Sequence, residues 1–432
     1  MTKKLTPVMQ QYLKVKKEHP SRLVFFRIGD FYELFFDDAQ KASELLDITL
    51  TGRGQNDDRI PMAGVPHHSA QSYLKKIVDL GHSAVVCEQV DNPAGSHLPM
   101  DREVSQILTP GTVFDEAYLD QKSHNFIASY VVQGSKAALT WCDLCRGQVY
   151  WQTGTQTQIL HRLAILDVKE LLIREDYSCQ SLDTMASFIE RRRIWEFSID
   201  EHLTNVLKIL KVPTFSALNI DCKLTLSALV ALINYCCVNT QSELLIKKVL
   251  PFCPDDELII DNQTRQHLEL DSQGNNGLYS LLNLTVTAMG SRRFQSCYRY
   301  PTRCRKTLSS RHTHIEFWLN HPDLSICFGK TMKKICDIDR HLAMVLKRSL
   351  TPRQLGRLIE SLLVVIGSQE TLFDRITTLK LETDPIKNLC QSIHSQLADT
   401  LPNNLRDGQV FKPTATAELQ HYKSLLENQE SH

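Results

Sequence analysis

The chain has 432 residues, too many for one domain and enough for two to four at about 100–200 residues each. A hydrophobic share of 42% and a charged share of 23% exclude a disordered chain. Lys+Arg and Asp+Glu both number 49, which excludes a polybasic protein that grips nucleic acid by bulk charge but leaves room for local basic patches.

The first segment, Leu5–Glu18, reads as a short amphipathic helix with Pro7 in its first turn. Arg22–Ile28 is a β-type apolar run, interrupted by Gly29 and Asp30. Phe31–Leu46 then shows helical spacing, with Leu34, Ala39, Ala42, Leu45 and Leu46 on an inner face. Ile48–Leu50 reads as a short strand and Thr51–Pro61 as a polar loop. A helix at Ser69–Leu80, a buried strand at Ser83–Gln89 and a strand at Glu103–Leu108 follow, closed by Thr109-Pro110-Gly111. Residues 1–115 are therefore expected to form a mixed α/β unit. Asp115–Lys122 reads as a linker. β segments at Asn125–Val132, Lys136–Asp143 and Gln148–Gln152 alternate with pieces such as Gln156–Leu166 and Glu170–Ile173, which predicts a second α/β domain over 116–245. From Leu224 strand signals fade. Helical periodicity at Leu224–Cys237, Tyr279–Leu284, Arg311–Leu319, Lys333–Leu346 and Pro352–Ile366 predicts an all-α part over 246–432.

No apolar stretch approaches the roughly 20 residues of a membrane span. The longest runs, Ala228–Ile233 and Leu362–Ile366, read as buried helix. The basic N-terminus lacks the apolar core of a signal peptide. Thirteen scattered cysteines, an odd number, do not make a disulfide framework. A reducing cytoplasm is expected.

Arg27-Ile-Gly-Asp-Phe-Tyr-Glu-Leu-Phe35 admits two readings. Asp30 can cap a helix while Glu33, three residues on, closes a capping box, with Phe31 in the core. Against that, Phe31, Tyr32, Phe35 and Phe36 crowd one helix start and cannot all face inward on a 3.6-residue repeat. An exposed Phe beside a carboxylate is suited to wedge between bases while the carboxyl group reads a base edge.

Arg27–Asp38 (RIGDFYELFFDD), Ile60–Pro66 (IPMAGVP) and Thr109–Thr112 (TPGT) together resemble the mismatch-recognition domain of the MutS family of DNA mismatch repair proteins. Arg191–Phe197 (RRRIWEF) resembles the family's connector domain, whose fold is RNase H-like. Ile260–Leu270, Thr287–Pro301, Asp337–Arg340 with Pro352–Leu355, and Leu405–Gly408 resemble the first half of its helical core. The resemblance covers essentially the whole chain. It implies that Phe31 is an intercalating wedge and that Glu33 hydrogen-bonds the mispaired base. Tyr32, Arg53, Met62 and Gly64 complete the implied DNA-binding set. Gly64 allows close backbone approach, while Arg53 also reads as a solvated loop charge and Met62 as core. An ionised Glu33 accepts from a thymine N–H, but only the protonated acid donates to a purine N7. Nearby phosphates are expected to raise its pKa.

The resemblance also implies a dimer, a MutL-type partner, and ATP with Mg²⁺ bound by a C-terminal ATPase domain. This sequence has no G-x-x-x-x-G-K-[ST]. Gly329-Lys330-Thr331 comes nearest, but Leu324 takes the place of the first glycine. The expectation is that the clamp, the ATPase and the main dimer contacts lie outside this chain, with no cofactor, no ATP turnover and an exposed apolar face on the helical part. Ala288 stands where the family usually has Pro, and Gln409 where Gly is usual.

Other chemistry is weaker. Residues 291–311 carry Arg292, Arg293, Arg299, Arg303, Arg305, Lys306 and Arg311 without an acid, which suits either phosphates or interdomain ion pairs. Cys142-Asp-Leu-Cys145 has no second pair for zinc. His67-His68 lacks acidic or Cys partners, so no metal is expected. Asp143 suggests an RNase H-like nuclease, which needs several convergent carboxylates. Three readings follow: a mismatch-binding module without enzymatic activity, a truncated remnant that acts only in interactions, and a nuclease.

Overall fold

The apolar run Leu23–Ile28 (β1) turns back through Gly29 and Asp30 into Phe31–Phe35 (β2), pairing Phe26 with Glu33 and Ile28 with Phe31. Gly29 has φ +59, the left-handed geometry that a two-residue hairpin requires at its first turn residue. The helix expected from Phe31 begins only at Phe36 and runs Phe36–Leu46 (α2). Tyr32 and Leu34 alternate into the core while Phe31 stays outside, and only a strand puts i and i+2 on one face. Asp30 and Glu33 therefore make no capping box. Phe35 takes the N-cap position, and Asp37 and Asp38 supply the negative charge that the first turn favours.

In this computed structural model the described residues are 6–53, 59–90, 100–113, 115, 118–179, 182, 185–241, 244–252, 257–270, 277–368 and 383–430. Residues 1–252 form one compact unit and 253–432 another.

In the first unit, Pro7–Glu18 (α1) starts as expected, with Pro7 at its first position and Thr6 accepting from the Met9 N–H at 3.4 Å. Leu5 lies outside the described residues. Ile48–Leu50 is not a strand. Pairing begins just after it: Thr51–Arg53 (β3) and the start of Ile60–Pro66 (β4) fall within the segment expected to be a polar loop, and they pair with each other as an antiparallel ladder. Ala70–Asp79 (α3), Ala84–Val90 (β5) and Asp101–Leu108 (β6) complete a sheet of order β3-β4-β2-β1-β5-β6. Within it β1 and β5 are parallel and the other pairs antiparallel. α2 and α3 cover one face through Tyr32, Leu34, Ala39, Ala42, Leu74 and Ile77. α1 covers part of the other through Met9, Tyr12, Phe26, Phe35 and Val85. Asp38 pins α1 down, accepting from the Tyr12 hydroxyl at 2.7 Å, Lys16 Nζ at 2.7 Å and the Val24 N–H at 3.1 Å. The segment read as a linker is not free: Tyr118 and Leu119 are buried in the first core.

A second sheet follows, built from Phe126–Gln133 (β7), Lys136–Asp143 (β8), Gln148–Thr155 (β9), Val168–Arg174 (β10) and Ala186–Arg192 (β11). Gln156–Leu166 (α4), Ile199–Leu210 (α5) and Lys223–Thr240 (α6) pack with it. α6 is long and apolar enough to cross a membrane by composition, but Leu229, Leu232, Ile233 and Cys236 are buried in the core of this sheet. Strand structure does not end at Leu224. Lys248–Pro251 (β12) pairs in parallel with β9, giving the order β11-β10-β7-β8-β9-β12. The sheet thus takes in residues that the sequence places in the helical part, because four residues carry too little periodicity to register.

The second unit is helical, as expected: Asn262–His267 (α7), Leu278–Leu282 (α8), Ala288–Arg299 (α9), Arg305–Asn320 (α10), Pro322–Met332 (α11), Ile338–Leu346 (α12), Pro352–Ser368 (α13), Asp384–Gln396 (α14) and Ala417–Glu430 (α15). Thr287 caps α9, so Ala288 sits at the first helical position, where Pro and Ala both fit. Gln409 adopts φ 55, a conformation that costs a non-glycine residue energy and explains why Gly suits that place. Leu362–Val365 are only partly buried, unlike the sealed run at Ala228–Ile233. Leu284, Leu319 and Leu405 are 84%, 74% and 71% exposed, so this unit does present apolar side chains to solvent.

Candidate nucleic-acid interface

The hairpin sets the geometry. Strand alternation puts Phe31, Glu33 and Phe35 on one face of β2 and Tyr32 and Leu34 on the other. α1 covers the Phe35 end of the first face, where Tyr12 packs edge-on against Phe35 at 5.1 Å. At the uncovered end Phe31 is 48% exposed, beside the turn. A large aromatic is usually buried, and this one sits on a strand paired on both sides.

Glu33 lies next to it on the same face, opposite Phe26 on β1 and Gly64 on β4. Its Oε2 accepts from Arg53 Nη1 at 3.1 Å. The Glu33 side chain is 18% exposed and that of Arg53 49%. Burial raises the Glu33 carboxyl above its ordinary value, and the positive charges of Arg53 and Arg102 pull it partway back. The rise that the sequence reading assigned to phosphates is thus already present in the protein alone.

Gly64 is exposed, and a Cβ built there meets the Tyr32 carbonyl oxygen at 3.5 Å, Glu33 Cγ at 3.8 Å and Phe31 Cδ1 at 4.0 Å. These are ordinary contacts, so the protein itself does not demand glycine. Gly64 leaves the surface flat beside both side chains. Met62, opposite Phe35, is half-buried against the α1-side core. Tyr32 is the correction in the set. It is only 5% exposed, on the opposite face from Phe31, with its hydroxyl donating to Glu88 and its ring 5.5 Å from His67. The structure therefore brings Phe31, Glu33, Arg53 and Gly64 together, with Met62 at the margin and Tyr32 behind the sheet.

Arg102 is the member that sequence reasoning missed. Its guanidinium lies 5.1 Å from the Phe26 ring centroid and donates to the Arg27 carbonyl at 2.7 Å, the Met100 carbonyl at 2.9 Å and Gln11 Oε1 at 3.2 Å. It adds positive charge behind Glu33. Between Asp101 and Glu103 it reads as one more charge on an exposed strand, and no local signal marks it.

The other candidates take structural places. Arg292 is 3% exposed and donates twice to Asp337, at 2.5 and 2.8 Å, so at that residue the basic run serves a buried ion pair and not phosphate. Cys142 and Cys145 are both buried and are not joined in a disulfide. Asp143 is buried, with His124 Nδ1 at 3.1 Å from Oδ2 and the Cys145 N–H donating to Oδ1 at 3.2 Å. Among the described residues no group of three His, Cys, Asp or Glu side chains converges as metal ligands. Gly329-Lys330-Thr331 lies within α11, not in a loop after a strand, so these residues do not fit the phosphates of a nucleotide.

The models for MutS domain I, MutS domain II and MutS domain III match residues 6–117, 125–247 and 263–432 in turn. With all three domains matched in this order along the sequence, the chain belongs to the MutS family of DNA mismatch repair proteins.

Proposed function

We propose that this protein binds mismatched or looped-out bases in duplex DNA, with Phe31 as the wedge and Glu33 as the group that meets the displaced base. One observation carries this reading: a half-exposed Phe on a strand paired on both sides, beside a part-buried carboxyl group with a raised pKa. A wedge unstacks a base step and kinks the duplex at a cost of a few kcal/mol. A mispaired or unpaired base is already poorly stacked, so the cost is lower there. The protein then reads deformability more than sequence. Arg53 and the flat surface at Gly64 position the backbone. Within these residues the reading needs no ATP turnover. It is a binding role, and no observation favours the nuclease alternative at Asp143. The direct test is an anisotropy titration of the chain against mispaired and matched duplexes at one low salt concentration. Equal affinities would overturn the reading.

Glu33 gives the reading a pH dependence. Its folded pKa is raised, so the protonated form gains on the charged form as pH falls through that raised value. The contribution of this group to folding has the same sign: it is present below the unfolded pKa and is lost as pH rises through the folded one. Only the acid form donates to a purine N7. Affinity for a purine mispair should therefore rise as pH is lowered below neutral. In Glu33→Gln the amide always donates, so the pH dependence should disappear while binding remains. Titrations of both proteins across pH check this, and a total loss of affinity in Glu33→Gln would count against it.

Gly64→Ala separates the fold from the interface. The added methyl meets no atom closer than 3.5 Å, and removing a strand glycine restricts the unfolded chain. Stability should stay within about 0.5 kcal/mol or rise slightly. The methyl stands on the surface beside Phe31 and Glu33, so duplex affinity should drop several-fold. Thermal melting and the same titration measure the two effects.

A further inference from the structure

The junction between the two sheets of residues 1–252 is built around one carboxyl group. Glu170, on β10 of the second sheet, is fully buried. Its Oε2 accepts from the Thr109 hydroxyl at 2.5 Å and from the Gly111 N–H at 2.8 Å. Its Oε1 accepts from the hydroxyl of Tyr235 on α6. The Thr109 and Thr112 hydroxyls share a hydrogen bond of 2.7 Å. Thr109, Gly111 and Thr112 follow β6 and belong to the first sheet's side of the junction. Arg22, which leads into β1, returns from that side and donates to the Tyr235 hydroxyl at 3.5 Å.

The chain of contacts Thr112–Thr109–Glu170–Tyr235–Arg22 thus leaves the first sheet, passes through the second and comes back. The surrounding charges are fixed. Arg192 stacks on the Tyr235 ring at 5.2 Å and pairs with Glu190 at 3.2 Å and Glu196 at 2.6 Å. Burial keeps the Glu170 carboxyl above its ordinary value although Thr109, Tyr235 and Gly111 all pull it down. The close approach depends on glycine, since a Cβ at Gly111 would lie 2.7 Å from Glu170 Cβ and 2.8 Å from Ile127 Cβ.

We propose that Glu170 is a positioning residue that latches the sheet bearing Phe31 and Glu33 to the second sheet, so that the wedge acts from a fixed base. This rests on the DNA-binding reading above. The physical reason is torque. A ring that kinks a duplex pushes back on its own support. On a hinged support the push turns the protein and leaves the duplex straight. Sequence-independent phosphate contacts need no such base. The latch therefore supports preference for a mispaired duplex and not binding as such.

The test compares the whole chain with Glu170→Ala, Glu170→Gln, Gly111→Ala and Phe31→Ala. Hydrogen exchange is read at residues 109–113 and in β1 and β5, and affinity is measured for mispaired and matched duplexes. In Glu170→Ala the 109–113 amides should exchange at least about tenfold faster while β1 and β5 stay protected. The ratio of mispaired to matched affinity should fall at least threefold. Glu170→Gln keeps the shape and should fall between Glu170→Ala and the parent. Gly111→Ala, which opens the junction from the other side, should match Glu170→Ala.

Unchanged exchange at 109–113, or faster exchange with an unchanged affinity ratio, would overturn the proposal. If Glu170→Ala fails to fold, the same criteria apply to Glu170→Gln and Gly111→Ala. Lost β1 and β5 protection even in Glu170→Gln would make the group a folding requirement, and the latch would be wrong. Phe31→Ala keeps the two ideas apart. If it leaves the ratio unchanged, the DNA reading fails, whatever exchange shows at the junction.

Discussion

Phe31→Ala should abolish most of the preference for a mispaired duplex while leaving the fold intact. The side chain is 48% exposed, so its removal opens no core cavity, and surface substitutions of this kind change stability by about 0.5 kcal/mol or less. Stacking of an aromatic ring on a base contributes about 1–3 kcal/mol. Losing it should lower affinity for a mispaired duplex about 5- to 150-fold. Matched duplex, held through phosphates, should bind as before. The comparison has to be made at a single salt concentration, since phosphate contacts weaken steeply as salt rises. Two fluorescence anisotropy titrations and one melting curve are sufficient. An unchanged ratio of affinities would remove the basis of the functional reading. So would an equal loss for both duplexes.

The second large effect concerns stability. The Arg292–Asp337 pair is sealed from water, with each side chain 3% exposed. Breaking such a pair by removing one partner costs about 3–5 kcal/mol, because the other charge is left buried without compensation. The two halves should not be equivalent. Asp337 also receives Arg340 Nε at 3.6 Å and caps α12 by accepting from the Arg340 N–H at 3.4 Å. Asp337→Ala therefore removes the carboxylate that two buried guanidinium groups share and the cap of a helix N-terminus, although Asp339 stays 3.7 Å from Arg292. Arg292→Met leaves Asp337 with Arg340 still beside it. Asp337→Ala should be the more damaging, and the double variant should lose less than the sum of the singles. Urea unfolding followed by circular dichroism measures all three. A cost below about 1 kcal/mol for either single variant would contradict the account.

More of the candidate site is legible in the sequence than helical spacing alone suggests. Gly29-Asp30 between two apolar runs is a two-residue hairpin signal, and Tyr32-Glu-Leu34 alternates with period two. The eleven residues Phe36–Leu46 do have helical spacing, whereas Phe31–Phe35 pairs as a strand, a difference from the expected helix. It had a consequence for function. On a helix start Phe31 and Tyr32 are both candidates for the surface, whereas on a strand they face opposite sides, and the core took Tyr32. Glu33 and Arg53 were legible as residue types, but their 3.1 Å contact required β3 and β4 to bring them together. Arg102 and Glu170 had no local signal at all. Glu170 stands 59 and 61 positions from the turn residues it holds.

Residue order alone determined the family, the sequence of two mixed α/β regions and a helical one, and the presence of an aromatic and a carboxylate side by side. Those properties depend on local spacing and on long motifs, which a linear string records. Which face each side chain takes, which arginine meets a carboxylate and which is buried, and what fastens one sheet to the other were decided by strand pairing and packing. These contacts join residues far apart in the chain, and their strength comes from excluding water, a condition that exists only once the chain has folded.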